Sequence, residues 1–341
     1  MASARRVPSR GKGISYGVGT VECSIAGQFY AHLPNVAYTI PPTLKSGSPN
    51  VLDCCLQTHN QRRNTVALIY CHGLNNHAEW AMKGIAQLVT IGNFPRDQIT
   101  FFAFCWPSGT VSSFRAARRM AEGDTQRDFC DVIRDLASEG FRTFHLMGHS
   151  MGSRVLCRLP FDELFKPLIA SSSASGSLST SNSAFPVSLV PSSSTEQDLP
   201  SLGSLTLLNG EENLHDFVAV HFPFARRFCP LISVYVDMLD RAIWAGEKVE
   251  GEKLVGRSGD LMWQHENGRR KYLDVDVIDQ TTLDTNITAM RHYSWTLNRL
   301  MVDDLYDVIV KGIRASERGY RLLNSEGNKY VFLTAPKFVT S

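Results

Sequence analysis

The feature that most constrains this chain is the alternation of short apolar runs with segments of helical period. The runs Thr65–Cys71 (TVALIYC), Ile99–Trp106 (ITFFAFCW), Phe144–Met147 (FHLM), Leu205–Leu208, Leu231–Val236 (LISVYV) and Leu273–Ile278 read as strands. Their near-continuous apolar character marks strands buried on both faces. Between the first two, Trp80, Ala81, Ile85, Leu88 and Val89 keep helical spacing. Between the second and third, Phe129, Val132, Ile133 and Leu136 do the same, with Asp124 and Thr125 as candidate caps. Ser150–Leu159 and His292–Val310 complete the predicted helices. Strands that alternate with helices need right-handed crossovers, which give a mostly parallel central sheet with helices on both faces. The expected fold class is α/β.

The remaining composition says where this unit sits in the 341 residues. Between Ser171 and Ser204, fourteen of 34 residues are serine, with Pro186, Pro191 and Pro200 among them. Such a stretch cannot bury enough apolar surface to offset its chain entropy, so 171–204 is expected to be a disordered insertion. The strand pattern resumes after it, so it does not separate two folding units. Residues 1–15 carry Arg5, Arg6, Arg10 and Lys12 with no acid before Glu22. No apolar stretch follows, which argues against a secretory signal and for a disordered basic tail, with organelle targeting as the alternative. The eight cysteines form no C-x-x-C pair and several sit inside apolar runs, as buried free thiols do. A reducing, cytoplasmic location is expected.

With 35 basic and 33 acidic side chains, the formal net charge is +2. No basic face is concentrated enough to neutralise a phosphate backbone, so a nucleic-acid partner is not expected. No run approaches the ~20 apolar residues of a membrane-spanning helix. Oligomeric state is not legible.

Gly148-His149-Ser150-Met151-Gly152 fits G-x-S-x-G and lies between a strand, FHLM, and a helix, SMGSRVLCRL. In that context the motif is a sharp strand-to-helix turn that lifts a serine Oγ above the sheet. The bland alternative is a serine cap on a core helix. A serine nucleophile needs a base, and in this order of elements acid and then histidine follow it. His215 and His221 come too early, and His265 lies in a polar stretch before the last strand. His292 follows that strand by a loop and is the expected base. LISVYVDMLDRA offers Asp237 and Asp240 as the acid; Asp240, in the loop beyond the strand, is better placed to accept the imidazole Nδ1 proton. The alternative for either aspartate is a helix cap.

An oxyanion needs two fixed donors. The backbone N–H groups of Met151, directly after the serine, and Leu74, in the loop Cys71-His72-Gly73-Leu74-Asn75-Asn76, are the candidates. His72, Asn75, His149 and Trp106 flank these positions and are candidate pocket residues. His72 is expected to make a structural hydrogen bond, whereas Asn75 and Asn76 either line the pocket or cap the next helix.

Together CHGLNN, FAFCWPSG (Phe102–Gly109), GHSMGSRVL, VYVDMLDRAI and RHYSW resemble an uncharacterised esterase/lipase-like branch of the α/β hydrolases. That branch shows an HG loop, a W-P-S-x-G turn, an HSMG elbow, a D-x-A-L acid and an H-S-Y-F-like histidine. Here the histidine motif reads HYSW, and WPSG lacks the spacer before glycine. The resemblance runs from Tyr16 to Ile313 outside the serine-rich segment. It implies an α/β-hydrolase domain over 16–313, with 314–341 as a C-terminal extension, and triad roles for Ser150, Asp240 and His292. A serine hydrolase acting on a carboxylic ester or related acyl bond is therefore expected, with a small-molecule substrate and with no cofactor or metal. A binding or scaffold protein of the same fold, and an acyltransferase using the same triad, are the alternatives. His215–Pro230 stands where this fold places a lid; its four phenylalanines either face an acyl pocket or pack on the sheet.

Overall fold

The computed structural model describes residues 64–168, 199–258, 262–283, 290–293, 295–296 and 298–334. At 2–6, 14–18, 20–21, 38–39 and 265–266 it describes the backbone alone. Ten strands form the main sheet: β1 (Ala2–Arg6), β2 (Ile14–Val18), β3 (Val66–Cys71), β4 (Ile99–Cys105), β5 (Thr143–His149), β6 (Ser201–Leu208), β7 (Ile232–Val236), β8 (Asp276–Asp279), β9 (Leu322–Glu326) and β10 (Lys329–Phe332). Their order across the sheet is β9-β10-β8-β7-β6-β5-β3-β4-β1-β2. From β10 to β1 every neighbouring pair is parallel, and only the outermost pair at each edge is antiparallel.

The helices that position the site are α1 (Ala78–Ile91), α2 (Phe114–Ala121), α3 (Asp124–Ser138), α4 (Met151–Cys157), α5 (Arg241–Glu250) and α6 (Arg299–Ile309). In β3, Ala67, Ile69 and Cys71 face one apolar layer with Phe129, Val132, Ile133 and Leu136 of α3 and Val155 and Leu156 of α4. Leu68 and Tyr70, one residue out of step, face the other with Ile85 and Leu88 of α1 and Val302, Leu305 and Val308 of α6. The two-residue period of the strand divides its side chains between two cores, which is why the run had to be apolar throughout. Among the described residues no helix is long and apolar enough to cross a membrane.

Several boundaries differ from expectation. Ser201–Ser204, assigned by composition to the insertion, open β6, where Leu202 and Ser204 are buried. Strand pairing sets that boundary, and serine count does not detect it. Most of the proposed insertion, residues 171–198, lies outside the described residues. Residues 322–332 are not an appendage: β10 pairs in parallel with β8 and completes the sheet. Ala2–Arg6 and Ile14–Val18, within and beside the expected tail, pair with each other, and β1 pairs with β4. The last helix starts at Arg299 after the cap Asn298, whose Oδ1 accepts from the N–H of Leu300 (2.9 Å) and Met301 (3.3 Å). His292 therefore lies in the preceding loop and not at a helix start. Gly123 stands at the start of α3, with Asp124 in the first turn in place of a cap. Phe217, Phe222 and Phe228 of the 215–230 segment are buried, and Phe161 meets the rings of Phe224 and Phe228 (6.0 and 6.4 Å), so that segment packs on the core. Five of the cysteines, Cys71, Cys105, Cys130, Cys157 and Cys229, are buried free thiols, as expected; the other three lie outside the described residues.

Candidate active site

Strand β5 ends at His149 and α4 begins at Met151, leaving Ser150 alone to make the turn at φ 54°, ψ −124°. A non-glycine residue holds such a conformation only where its surroundings over-determine it. Here its N–H donates to Leu208 O at 2.9 Å, and its carbonyl accepts from Ser153 N and Glu211 N, each at 3.0 Å. Glycines make the close approaches that this turn requires. A Cβ at Gly152 would lie 2.1 Å from Cys71 O, and one at Gly148 2.9 Å from Ser153 N. A Cβ at Gly73 would lie 2.6 Å from Ser150 Cβ and 3.1 Å from its Oγ, so the His-Gly loop passes directly beside the hydroxyl.

Asp240 and His292 meet. His292 Nδ1 lies 2.7 Å from Asp240 Oδ2, and the aspartate is fully buried. The same carboxylate caps α5, accepting from Ala242 N (2.8 Å) and Ile243 N (3.0 Å) through Oδ1. One residue thus combines the helix cap with the contact to the imidazole. Asn209 Nδ2 donates to Oδ2 at 2.7 Å, and Gln280 Nε2 donates to Asn209 Oδ1 at 2.7 Å. Asp237 faces elsewhere: it pairs with Arg291 (3.0 Å) and accepts from Leu239 N (2.8 Å). Burial holds the Asp237 carboxyl above its usual range against the pull of Arg291. Among the described residues Ser150 Oγ makes no hydrogen bond, so the expected link to His292 Nε2 is not formed; in unliganded sites such contacts are often long.

The amides of Leu74 and Met151 donate no hydrogen bond among the described residues. His72 is buried, and its partners fix its tautomer: Nδ1–H donates to Gly73 O (2.9 Å), and Nε2 accepts from Trp106 N (3.2 Å). Trp106 Nε1 donates in turn to His72 O at 2.7 Å. Burial lowers the His72 pKa to about 4, so it is neutral and clamps the His-Gly loop to the WPSG turn. His72 and Trp106 are both buried, whereas Asn75, at φ 55°, is exposed. Asn76 caps nothing in α1, whose cap position is His77; its Nδ2 donates to Tyr293 OH at 2.9 Å and ties the loop to the histidine segment. His149 is buried, with Nε2 2.7 Å from the carbonyl oxygen of His292.

Sequence reading missed Asn209, Gln280 and Arg291. Asn209 carried a signal: it opens an Asn-Gly dipeptide after an apolar strand and adopts φ 46°. Gln280 and Arg291 carried none. On α4, Arg154 donates to Glu211 O and Oε2, both at 3.1 Å, and burial raises the Glu211 carboxyl to about 7. An open polar cleft of about 400 Å³ beside α4 is lined by arginines and acids of this network, away from the serine side chain. Glu212, Asp216 and His221 cluster at metal-ligand spacing. However, Arg158 holds both Glu212 oxygens at 3.0 Å, which neutralises the charge a cation would need.

A mostly parallel sheet that turns into a helix through a strained serine, with Asp240 and His292 in loops that follow later strands, defines the class. The chain has the α/β-hydrolase fold. Residues 52–161 match the family described as "Alpha/beta hydrolase of unknown function (DUF900)". Among solved structures the chain is similar to the product of gene lin2722 from Listeria innocua, with 11% identity, 79% of this chain and 99% of that chain covered, and a TM-score of 0.41. It is also similar to phospholipase PlaB from Legionella pneumophila in complex with thio-NAD, with 13% identity, 76% and 66% covered, and a TM-score of 0.36. No curated protein matches.

Proposed function

We propose that the protein is a serine hydrolase that cleaves a carboxylic ester or related acyl bond of a small-molecule substrate through an acyl-enzyme. Ser150 Oγ attacks the carbonyl carbon while His292 Nε2 takes its proton. The amides of Leu74 and Met151 receive the developing oxyanion, and the tetrahedral intermediate collapses as His292 returns the proton to the leaving alcohol. Water, activated by the same imidazole, then releases the acid. Asp240 accepts from Nδ1–H and holds the tautomer that leaves Nε2 free to act as base.

The observation that carries this reading is the 2.7 Å contact between His292 Nδ1 and a buried Asp240 at the sheet edge that presents the strained Ser150. The decisive experiment is labelling with a fluorophosphonate and location of the modified residue. Ser150 is expected to be modified, and hydrolysis of p-nitrophenyl esters to be lost in Ser150→Ala. In subtilisin, removing the nucleophile costs on the order of 10⁶ in kcat, and a loss of that order is expected here. A folded protein that takes up no probe, and whose Ser150→Ala variant is indistinguishable from it, would be a scaffold of the same fold.

A further inference from the structure

On the roles of Ser150 and His292 proposed above, we infer that His149, the residue between Gly148 and the serine, is a positioning residue for His292. It fixes the main chain of the base to the strand that carries the nucleophile.

His149 is 2% exposed, and its Nε2 lies 2.7 Å from the carbonyl oxygen of His292. A carbonyl can only accept, so Nε2 bears a proton; burial pushes the His149 pKa well down, so the imidazole is neutral and Nδ1 is bare. That Nδ1 is buried and has no partner. An unpaired buried nitrogen is costly, and a phenyl ring of similar size would pack at the same place without it. The single hydrogen bond to His292 is therefore what distinguishes histidine from an apolar ring here. The ring also packs against those of His292 and Tyr293, each at 4.6 Å between centroids.

The other restraints on this segment come from elsewhere. Arg241 N donates to Met290 O, Arg291 pairs with Asp237, and Asn76 donates to Tyr293. Asp240 fixes the rotation of the His292 ring through Nδ1. Among the described residues, the His149 bond is the hydrogen bond that runs from β5 itself to the main chain of His292, one residue from the serine. It sets the separation of nucleophile and base directly, whereas the other contacts set it through neighbouring strands and loops.

The test compares wild type with His149→Phe, His149→Asn and His149→Gln, with Ser150→Ala as reference, on p-nitrophenyl butyrate and in fluorophosphonate labelling. Glutamine carries an N–H at about the reach of Nε2; asparagine is too short, and phenylalanine has no donor. Misplacing a reacting group by a fraction of an ångström to 1 Å costs up to ~100-fold. His149→Phe and His149→Asn are therefore expected to lower kcat by about 10- to 100-fold with KM little changed, and to slow labelling of Ser150 in parallel. His149→Gln is expected to recover most of both. Should His149→Phe fail to fold, His149→Asn against His149→Gln carries the comparison. Wild-type kcat in folded His149→Phe or His149→Asn, or a Gln variant no better than they are, overturns the inference while leaving the triad intact. Retention of activity and labelling in Ser150→Ala overturns the triad reading itself, and the inference with it.

Discussion

Asp237 and Asp240 stand three residues apart, both buried and both hydrogen-bonded, yet they face different partners. Asp240 accepts from the imidazole, and Asp237 holds the guanidinium of the residue before it. Asp240→Asn is expected to lower kcat by ~10⁴, the loss that the corresponding change causes in a trypsin-like triad. Asp237→Asn should cost far less in kcat and appear mainly as lower thermal stability, since it weakens an anchor of the loop and not the acceptor itself. Steady-state kinetics and melting curves on the two variants decide this, and a larger kcat loss for Asp237→Asn would exchange their roles. At this scale the sequence was partly legible. A serine between glycines, a late aspartate and a later histidine can be picked out by order as candidates; the serine makes the turn, and the other two meet. Asn209 shows only as the start of an Asn-Gly turn, with nothing local to tie it to the acid, and Gln280, which donates to Asn209 from another strand end, leaves no local pattern at all.

At the scale of the element, the elbow is a packing device. Helix α4 approaches β3 so closely that an alanine at Gly152 would meet Cys71 O at 2.1 Å, backbone against backbone, with no flexible side chain to give way. Gly152→Ala should therefore fail to accumulate as folded protein, or melt far below wild type. At Gly123 the nearest atom to an added Cβ is 3.4 Å away, so Gly123→Ala should stay within about 1 kcal/mol of wild type. Circular dichroism melts of both variants test the contrast. The buried strands were legible from their apolar runs. The pair β9–β10 was not, because LLNSE and KYVF are largely exposed or half-buried, with only two and three consecutive apolar residues. The start of α6 was misplaced for a related reason: apolar residues run on from Tyr293 into the helix, and only Asn298 marks where the hydrogen bonding begins.

Across the whole molecule, burial of His72 makes stability depend on pH. Its pKa is lowered to about 4 when folded, whereas an unfolded histidine titrates near 6.5. Between these values the unfolded chain binds the extra proton, so stability falls as pH drops from 6.5 and levels off near 4. His72 alone should account for about 2 kcal/mol lost between pH 7 and pH 5. Glu211, raised to about 7, acts in the opposite direction. Urea titrations of wild type and His72→Gln at both pH values isolate the histidine's share, because Glu211 contributes equally to each; parallel pH dependences would refute it. The serine-rich segment makes a second whole-molecule test. Lys166 N donates to Pro200 O at 3.0 Å, so its two stems lie side by side. Deleting residues 172–196 should leave melting temperature and ester hydrolysis close to wild type, since loop length enters closure entropy only logarithmically. Insoluble protein on deletion would show that the segment contributes packing. Finally, β8 borders β7 on one side and β10 on the other, and β10 lies in the last dozen described residues. During synthesis the edge of β8 therefore stays open until residue 332 has left the ribosome. A nascent chain stalled before that point presents unpaired backbone groups to any passing strand, and is the form of this protein most in need of a chaperone.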